Sequence, residues 1–167
     1  MENSIFTEVY KKYYKTLFIY ALSLCKNNDI AQDLVHETFI KAFLKWEDIK
    51  NPKYWLTVVL KNEYLKYTSR NKISYVEDES IVNLIKDDKN PLYYILKDEY
   101  MSNVMEVIDN LPENYRMVMV YSVYMEFDDY YISKLMNTTE ENVRQLRFRA
   151  RKKIKDKLKH CRGERYD

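Results

Sequence analysis

Apolar residues along this chain recur every three or four positions, the spacing of amphipathic helices, and strand-type alternation is hard to find. Phe6, Val9, Tyr13, Leu17, Tyr20 and Leu24 form one such stripe and predict a first helix. Asn27-Asn28-Asp29 breaks it and offers capping side chains to the next. There Ala31, Leu34, Val35, Thr38, Phe39, Ala42, Phe43 and Trp46 make a broad apolar face, with Gln32, Asp33, His36, Glu37 and Lys41 on the other side. Asn51-Pro52 reads as a cap followed by proline at the first helical position. A third helix is predicted from Lys53 to Ser69, with Trp55, Leu56, Val59 and Leu60 at helical spacing.

Between residues 71 and 90 the periodicity fades. Glu77-Asp78-Glu79 and Asp87-Asp88 supply like charge, and one short ordered piece is expected around Ile81–Ile85. Asn90-Pro91 then starts a second segment, in which Leu92, Leu96, Tyr100, Val104, Val107, Ile108 and Leu111 form a stripe. Leu111-Pro112-Glu113 marks a break. A helix follows through Met117, Val118, Val120, Tyr121 and Tyr124. Two more are predicted at Asp128–Met136 and Thr139–Leu158, with a tight joint between them. No repeat of solenoid length is present. The expected fold is all-α: two small helical domains joined by an acidic linker, the C-terminal one containing a helix-turn-helix.

Composition supports this. A single Gly and three Pro in 167 residues leave long uninterrupted stretches for helices. Seventeen Tyr and six Phe supply apolar bodies for two small cores. Net charge is only +2, yet the signs are segregated: residues 98–141 carry 2 basic against 10 acidic side chains, and residues 142–162 carry 10 against 1. A dense basic block of that kind suits a nucleic-acid surface, although it also suits a solvated helix face. Cys25 and Cys161 are far apart and lack paired spacing, so neither a disulfide framework nor a zinc site is expected. The longest apolar runs, Leu17–Cys25 and Met117–Met125, are too short to span a bilayer. The N-terminus lacks a signal-peptide pattern. A cytoplasmic protein without membrane insertion is expected.

Ile132, Leu135 and Met136 face inward on the first helix of the tight pair. In the joint Asn137-Thr138-Thr139, Asn137 tolerates positive φ and Thr139 can cap the next helix. Glu140 and Glu141 suit that helix's N-terminal dipole. On the second helix Val143, Leu146 or Arg147, Ala150 and Ile154 can pack inward. Asn142, Gln145, Arg149 and Lys152 lie on another face, flanked by Arg144, Phe148 and Arg151. Amides and guanidinium groups at this spacing match the donor and acceptor edges of bases in a major groove. Lys152, Lys153, Lys155 and Lys157 form a basic tail for phosphates.

Two earlier features carry weaker signals. Tyr54, Trp55, Tyr64 and Tyr67 interleave with Lys61, Asn62, Lys66 and Arg70, a pattern that can stack and neutralise a single strand. Aromatic residues at helical spacing are more often core, and Trp55 is expected to be at least half buried. Asp33 and Glu37 lie one turn apart on the second helix. No partner serine, cysteine, ligand set or phosphate loop accompanies them, so a docking surface for a basic partner is favoured over catalysis. No enzyme activity, cofactor or metal is expected.

At this point the motifs resemble a known family. Asp33-Leu34-Val35-His36-Glu37-Thr38-Phe39, followed by Ala42-Phe43 and Trp46, is similar to the DLVQETF-type helix of bacterial sigma factors. Trp55-Leu56 with Lys61-Asn62 resembles their promoter-melting helix. Leu111-Pro112-Glu113-Asn114-Tyr115-Arg116 resembles the start of their C-terminal module. Val143-Arg144 with Phe148-Arg149-Ala150-Arg151-Lys152-Lys153 resembles their recognition helix. The short linker points to the extracytoplasmic-function group or the related clostridial toxin-gene regulators.

The resemblance implies a subunit that binds core RNA polymerase and directs it to particular promoters. It implies a region 2-like domain at 1–72, an acidic linker at 73–90, a region 4-like domain at 91–162 and a tail at 163–167. Asp33, Leu34, Glu37 and Phe39 would dock on the polymerase clamp helices. Lys61, Asn62, Lys66 and Arg70 would meet the melted −10 strand. Asn142, Arg144, Gln145, Phe148, Arg149, Arg151 and Lys152 would read −35 DNA, while the C-terminal module also docks on the polymerase flap. An anti-sigma factor is a further partner the family often uses. Departures are local: Asn137 replaces the turn glycine, Tyr131 a usual acid, Glu141 a usual small residue and His36 a usual glutamine. Two alternatives stay open: a dimeric helix-turn-helix repressor that binds a palindrome alone, and a decoy that binds polymerase but no promoter.

Overall fold

The structure, a computed structural model, describes residues 2–71 and 106–163. The expected linker, the Asn90-Pro91 cap, the stripe from Leu92 to Val104 and the tail after Gly163 lie outside the described residues. All regular structure among the described residues is helical. The chain divides into two compact units, Met1–Glu79 and Ser80–Asp167.

The N-terminal unit holds α1 (Glu2–Cys25), α2 (Asn28–Leu44) and α3 (Pro52–Asn71), with a 3-10 turn at Trp46–Asp48. The caps form where polar side chains precede apolar runs. Asn27 Oδ1 accepts from Ile30 N at 3.0 Å, and Asn51 Oδ1 accepts from Tyr54 N at 3.2 Å, with Pro52 at the first helical position. Lys26 ends α1 at φ 49°, a left-handed turn that glycine would occupy more readily. Because α1 packs on both α2 and α3, its middle is buried on more than one face: Leu17, Phe18, Tyr20, Ala21 and Leu22 are all core. Phe6 sits among rings, 6.2 Å from Phe39, 5.1 Å from Phe43 and 5.9 Å from Trp46 between centroids. These edge contacts suit the ring quadrupole. The buried Thr38 and Thr57 hydroxyls donate to the carbonyls of Leu34 and Lys53, one turn back, so neither enters the core unsatisfied.

Described elements of the C-terminal unit are the helical residues 106–109, α4 (Glu113–Met119), α5 (Asp129–Leu135) and α6 (Glu140–Gly163). The helix expected to run through Tyr124 instead widens at Val120 into a π-helical turn, Val120–Tyr124. Met125 N donates to Val120 O at 3.1 Å, and Phe127 N to Tyr121 O at 3.0 Å. Glu126, at φ 52°, reverses the chain so that Met125 and Phe127 both turn inward. Val118, Tyr121, Ile132, Val143 and Ala150 are nearly fully buried, and α6 packs on both α4 and α5. Each such side chain contributes about 1.5–3 kcal/mol of burial, except for the small Ala150.

Candidate nucleic-acid interface

The joint between α5 and α6 is built from the residues that predicted it. Asp128 caps α5 by accepting from Tyr131 N at 3.1 Å. At the other end Asn137 takes φ 51°, Thr138 N donates to Ser133 O at 2.9 Å, and Asn137 N donates to Lys134 O at 3.3 Å. That pair of bonds is a Schellman closure, which satisfies the carbonyls a helix end would leave open. Thr139 Oγ1 then accepts from Asn142 N at 3.1 Å and starts α6.

Val143, Ala150 and Ile154 are the buried stripe of α6. The fourth inward position is Arg147. Its guanidinium meets Asp129 Oδ1 at 2.5 Å and donates to Ser122 Oγ at 3.5 Å. A charge on an inward stripe needs a partner, and α5 provides it. Arg144 reaches the same carboxylate at 3.6 Å. Sequence reasoning missed Asp129. The signal lay in the chain: the usual acid's position is Tyr131, and an acid stands two residues earlier.

Six residues line a shallow concavity on the outer side of α6: Glu141, Arg144, Gln145, Phe148, Arg149 and Lys152. All are exposed, Phe148 to 72 %. Five of them are expected −35 readers. Arg151 is exposed but does not line the concavity, and Asn142 spends one amide hydrogen on Thr138 Oγ1 at 2.8 Å. Glu141 joins the surface as an anion. Gln145 and Arg149 can bond adenine and guanine edges, and a carboxylate can accept from cytosine N4. Lys153 stacks over Tyr115 at 5.5 Å, tying the basic tail to α4.

In the N-terminal unit, a groove between α2 and α3 is lined by Ile30, Asp33, Leu34, Glu37, Lys41, Glu63, Lys66, Tyr67 and Arg70. A second hollow, between the end of α2 and α3, takes Leu44, Lys45, Trp55, Val59 and Asn62 together with Lys41, Glu63 and Lys66. Glu63 ties the two: its carboxylate pairs with Lys41 of α2 and, at 3.4 Å, with Lys66 of its own helix. The Lys41 hydrogen bond, with both lysine charges, holds the Glu63 carboxyl below its ordinary range. Asn62, Lys66 and Arg70 are exposed, and Lys61 is half-buried. The expected stacking rings Tyr54, Trp55, Tyr64 and Tyr67 are all half-buried.

Two of the expected polymerase contacts are largely buried. Phe39 is 3 % exposed and packs on Phe6 and Tyr10, and Leu34 is 6 % exposed. Their side chains hold α2 in the unit, and Leu34 also lines the groove between α2 and α3. The exposed apolar residues of α2 are Ile40, Phe43 and Leu44, beside Asp33, His36 and Glu37 on the outer surface. Phe43, expected in the core, is 52 % exposed because the core side of that turn is already filled by Phe39 and Ala42. α2 carries more apolar residues than one buried face requires, and that excess was the signal for a second apolar surface.

Among the described residues no cluster of acidic, His or Cys side chains could hold a metal, and no helix is long and apolar enough to cross a membrane. Cys25 is half-buried, and burial pushes its thiol up to about 11.

Residues 9–73 match the family model for sigma-70 region 2, and residues 101–154 match that for sigma-70 region 4. The ECF RNA polymerase sigma factor SigM of Bacillus subtilis is 28 % identical over 152 residues, covering 89 % of this chain and 91 % of the relative. RNA polymerase sigma factor SigV of the same organism is 26 % identical over 138 residues, covering 81 % and 78 %. In fold, the chain is similar to the sigma factor RpoE of Bartonella quintana, solved with the anti-sigma factor NepR. That match has a TM-score of 0.67 and 21 % identity and covers 92 % of this chain and 96 % of that one. It is also similar to CnrH, solved with the cytosolic domain of CnrY, at TM-score 0.61 and 16 % identity over 95 % and 90 % of the chains. The two matched regions span most of the sequence, in order, one on each compact unit, and the chain belongs to the sigma-70 family as an extracytoplasmic-function sigma factor, directing RNA polymerase to promoters.

Proposed function

We propose a division of labour along the chain. Residues 1–72 bind core polymerase and the melted −10 strand, residues 91–162 read −35 DNA, and the acidic stretch 73–90 joins them. The observation that carries this reading is the exposed Gln145, Phe148, Arg149 and Lys152 surface on the second helix of a closed helix-turn-helix. Gln145 and Arg149 make base contacts, and Arg144 and Phe148 flank them. Arg151, Lys152 and the lysines beyond meet phosphates, with Asn142 at the rim. In the N-terminal unit Lys61, Asn62, Lys66 and Arg70 contact the displaced strand. Asp33 and Glu37, with the apolar strip Ile40, Phe43 and Leu44, form the docking surface for the polymerase clamp helices.

Polymerase supplies the chemistry. This subunit supplies binding free energy that places duplex and melted DNA. The cytoplasm is its compartment. An anti-sigma factor that covers one of these surfaces is a further partner, by analogy with the solved complex of RpoE with NepR. Size-exclusion chromatography with bacterial core RNA polymerase tests the reading: a one-to-one complex active in run-off transcription is expected. A chain that elutes apart from polymerase and shifts palindromic duplex as a dimer would overturn it in favour of a repressor.

A further inference from the structure

Asp129 holds two arginines of α6 in different ways. Arg147 is 19 % exposed, lies on the inward stripe and is bound at 2.5 Å. Arg144 is 56 % exposed, lines the outer concavity and is bound at 3.6 Å. The first contact neutralises a half-buried charge and sets how α6 sits on α5. The second adds little to stability, because an exposed ion pair is weak. What it does is restrict where the Arg144 guanidinium points. A carboxylate also holds two cations in the other unit, where Glu63, 14 % exposed, pairs with the 34 %-exposed Lys41 and reaches the 59 %-exposed Lys66 at 3.4 Å.

We propose that Asp129 is a positioning residue for promoter discrimination: it stays paired with Arg144, aims the guanidinium at a base edge of the correct −35 sequence and keeps it from arbitrary phosphates. The inference rests on the reading above that α6 meets −35 DNA. Its physical basis is competition. A free arginine at a DNA surface takes any phosphate, which raises affinity for all sequences alike and adds one released counterion. A carboxylate at 3.6 Å opposes that transfer for every sequence. A base edge at the correct site is reached with the pair intact, because the guanidinium has five N–H donors and Asp129 takes only part of them.

The test uses the full chain bound to core RNA polymerase. The probes are a duplex selected by that complex from a library randomised across the −35 region, and a random-sequence duplex, each titrated over a range of salt. For Asp129→Asn the expected result is a roughly threefold or larger gain on random duplex, lower discrimination, and a salt slope steeper by about 0.9. In an Arg144→Gln background the same substitution should leave the slope where Arg144→Gln alone puts it. A purely structural role for Asp129 would weaken both duplexes without steepening the slope. An unchanged slope, or one that steepens equally without Arg144, overturns the proposal. If Asp129→Asn fails to fold by circular dichroism, Arg144→Gln alone decides. Loss confined to the selected duplex supports the tether, and equal loss on both duplexes overturns it. Arg149→Ala separates the two levels of inference. If discrimination survives Arg149→Ala, base reading by α6 fails, and the tether with it. If Arg149→Ala relaxes discrimination while the Asp129–Arg144 cycle shows no coupling, only the tether fails.

Discussion

Asn142 Nδ2 donates to Thr138 Oγ1 at 2.8 Å across the turn between α5 and α6, so an amide expected to read bases is partly committed to closing the turn. Asn142→Ala should therefore lower the stability of the C-terminal unit by about 1 kcal/mol in urea denaturation. Base preference in a selection from a randomised −35 library should stay as it is. Relaxed preference at one base pair would restore Asn142 to the readers.

Arg149 and Lys152 lie on the same concavity, but their chemistry separates them. Arg149→Ala should cost about 1–3 kcal/mol on the selected promoter and relax one position. Lys152→Ala should weaken all duplexes alike and make the salt slope shallower by about 1. Competition binding against single-base variants distinguishes the two patterns.

On α2, burial separates support from docking. Phe39→Ala opens a cavity in the ring cluster around Phe6 and should cost about 3–5 kcal/mol of stability. Asp33→Lys and Ile40→Ser change exposed positions and should leave stability within about 0.5 kcal/mol. Both should weaken co-elution with core polymerase. Full polymerase binding by Ile40→Ser would remove the apolar strip from the docking surface.

Burial raises the Cys25 thiol from 9.0 to about 11, which leaves almost no thiolate at neutral pH. Iodoacetamide at pH 7.5 should leave Cys25 unlabelled in the native protein and label it in urea, as read by peptide mass spectrometry. The protonated thiol is the form the fold prefers. Its stabilising contribution is thus complete below pH 9.0 and lost as pH rises from there through about 11. Rapid native labelling would mean that Cys25 is more accessible than its packing indicates.

Glu63 titrates in the opposite sense. Lys41 and Lys66 hold its folded carboxyl below the ordinary 4.5, so its contribution is complete above that value. It disappears as pH falls below 4.5 through the depressed folded value. Glu63→Gln should lower the melting temperature at pH 7 and flatten its fall on the acid side. An acid limb identical to the wild type would show that the carboxylate contributes nothing there.

Short-range signals in the chain were sufficient for the helices, the caps at Asn27, Asn51 and Thr139, and the left-handed Asn137 turn. Each depends on a side chain bonding backbone three residues on, or on a backbone preference of one residue type, so neighbours along the chain suffice. The inward stripe Val143, Ala150 and Ile154 was legible for the same reason, through helical period alone. The left-handed turns at Lys26 and Glu126 were not, because neither residue prefers positive φ and packing imposes it. Nor was the π-helical turn at Val120–Tyr124, whose widened register serves to bring Met125 and Phe127 into the core.

Tertiary structure alone decided which apolar residues of α2 were spent inside and which left outside. Phe39 and Phe43 differ by one turn and are chemically identical, yet Phe39 is core and Phe43 is half exposed: Phe6 of α1 meets both rings, and Tyr10 of α1 packs on Phe39 as well. The charge pairings Asp129 with Arg147 and Lys41 with Glu63 were equally hidden, because they join residues 18 and 22 positions apart whose meeting depends on how helices dock. Periodicity specifies which way a side chain points from its own helix. It carries no information about the partner waiting there, and for this protein that partner sets the charge and shape of the surfaces offered to DNA and polymerase.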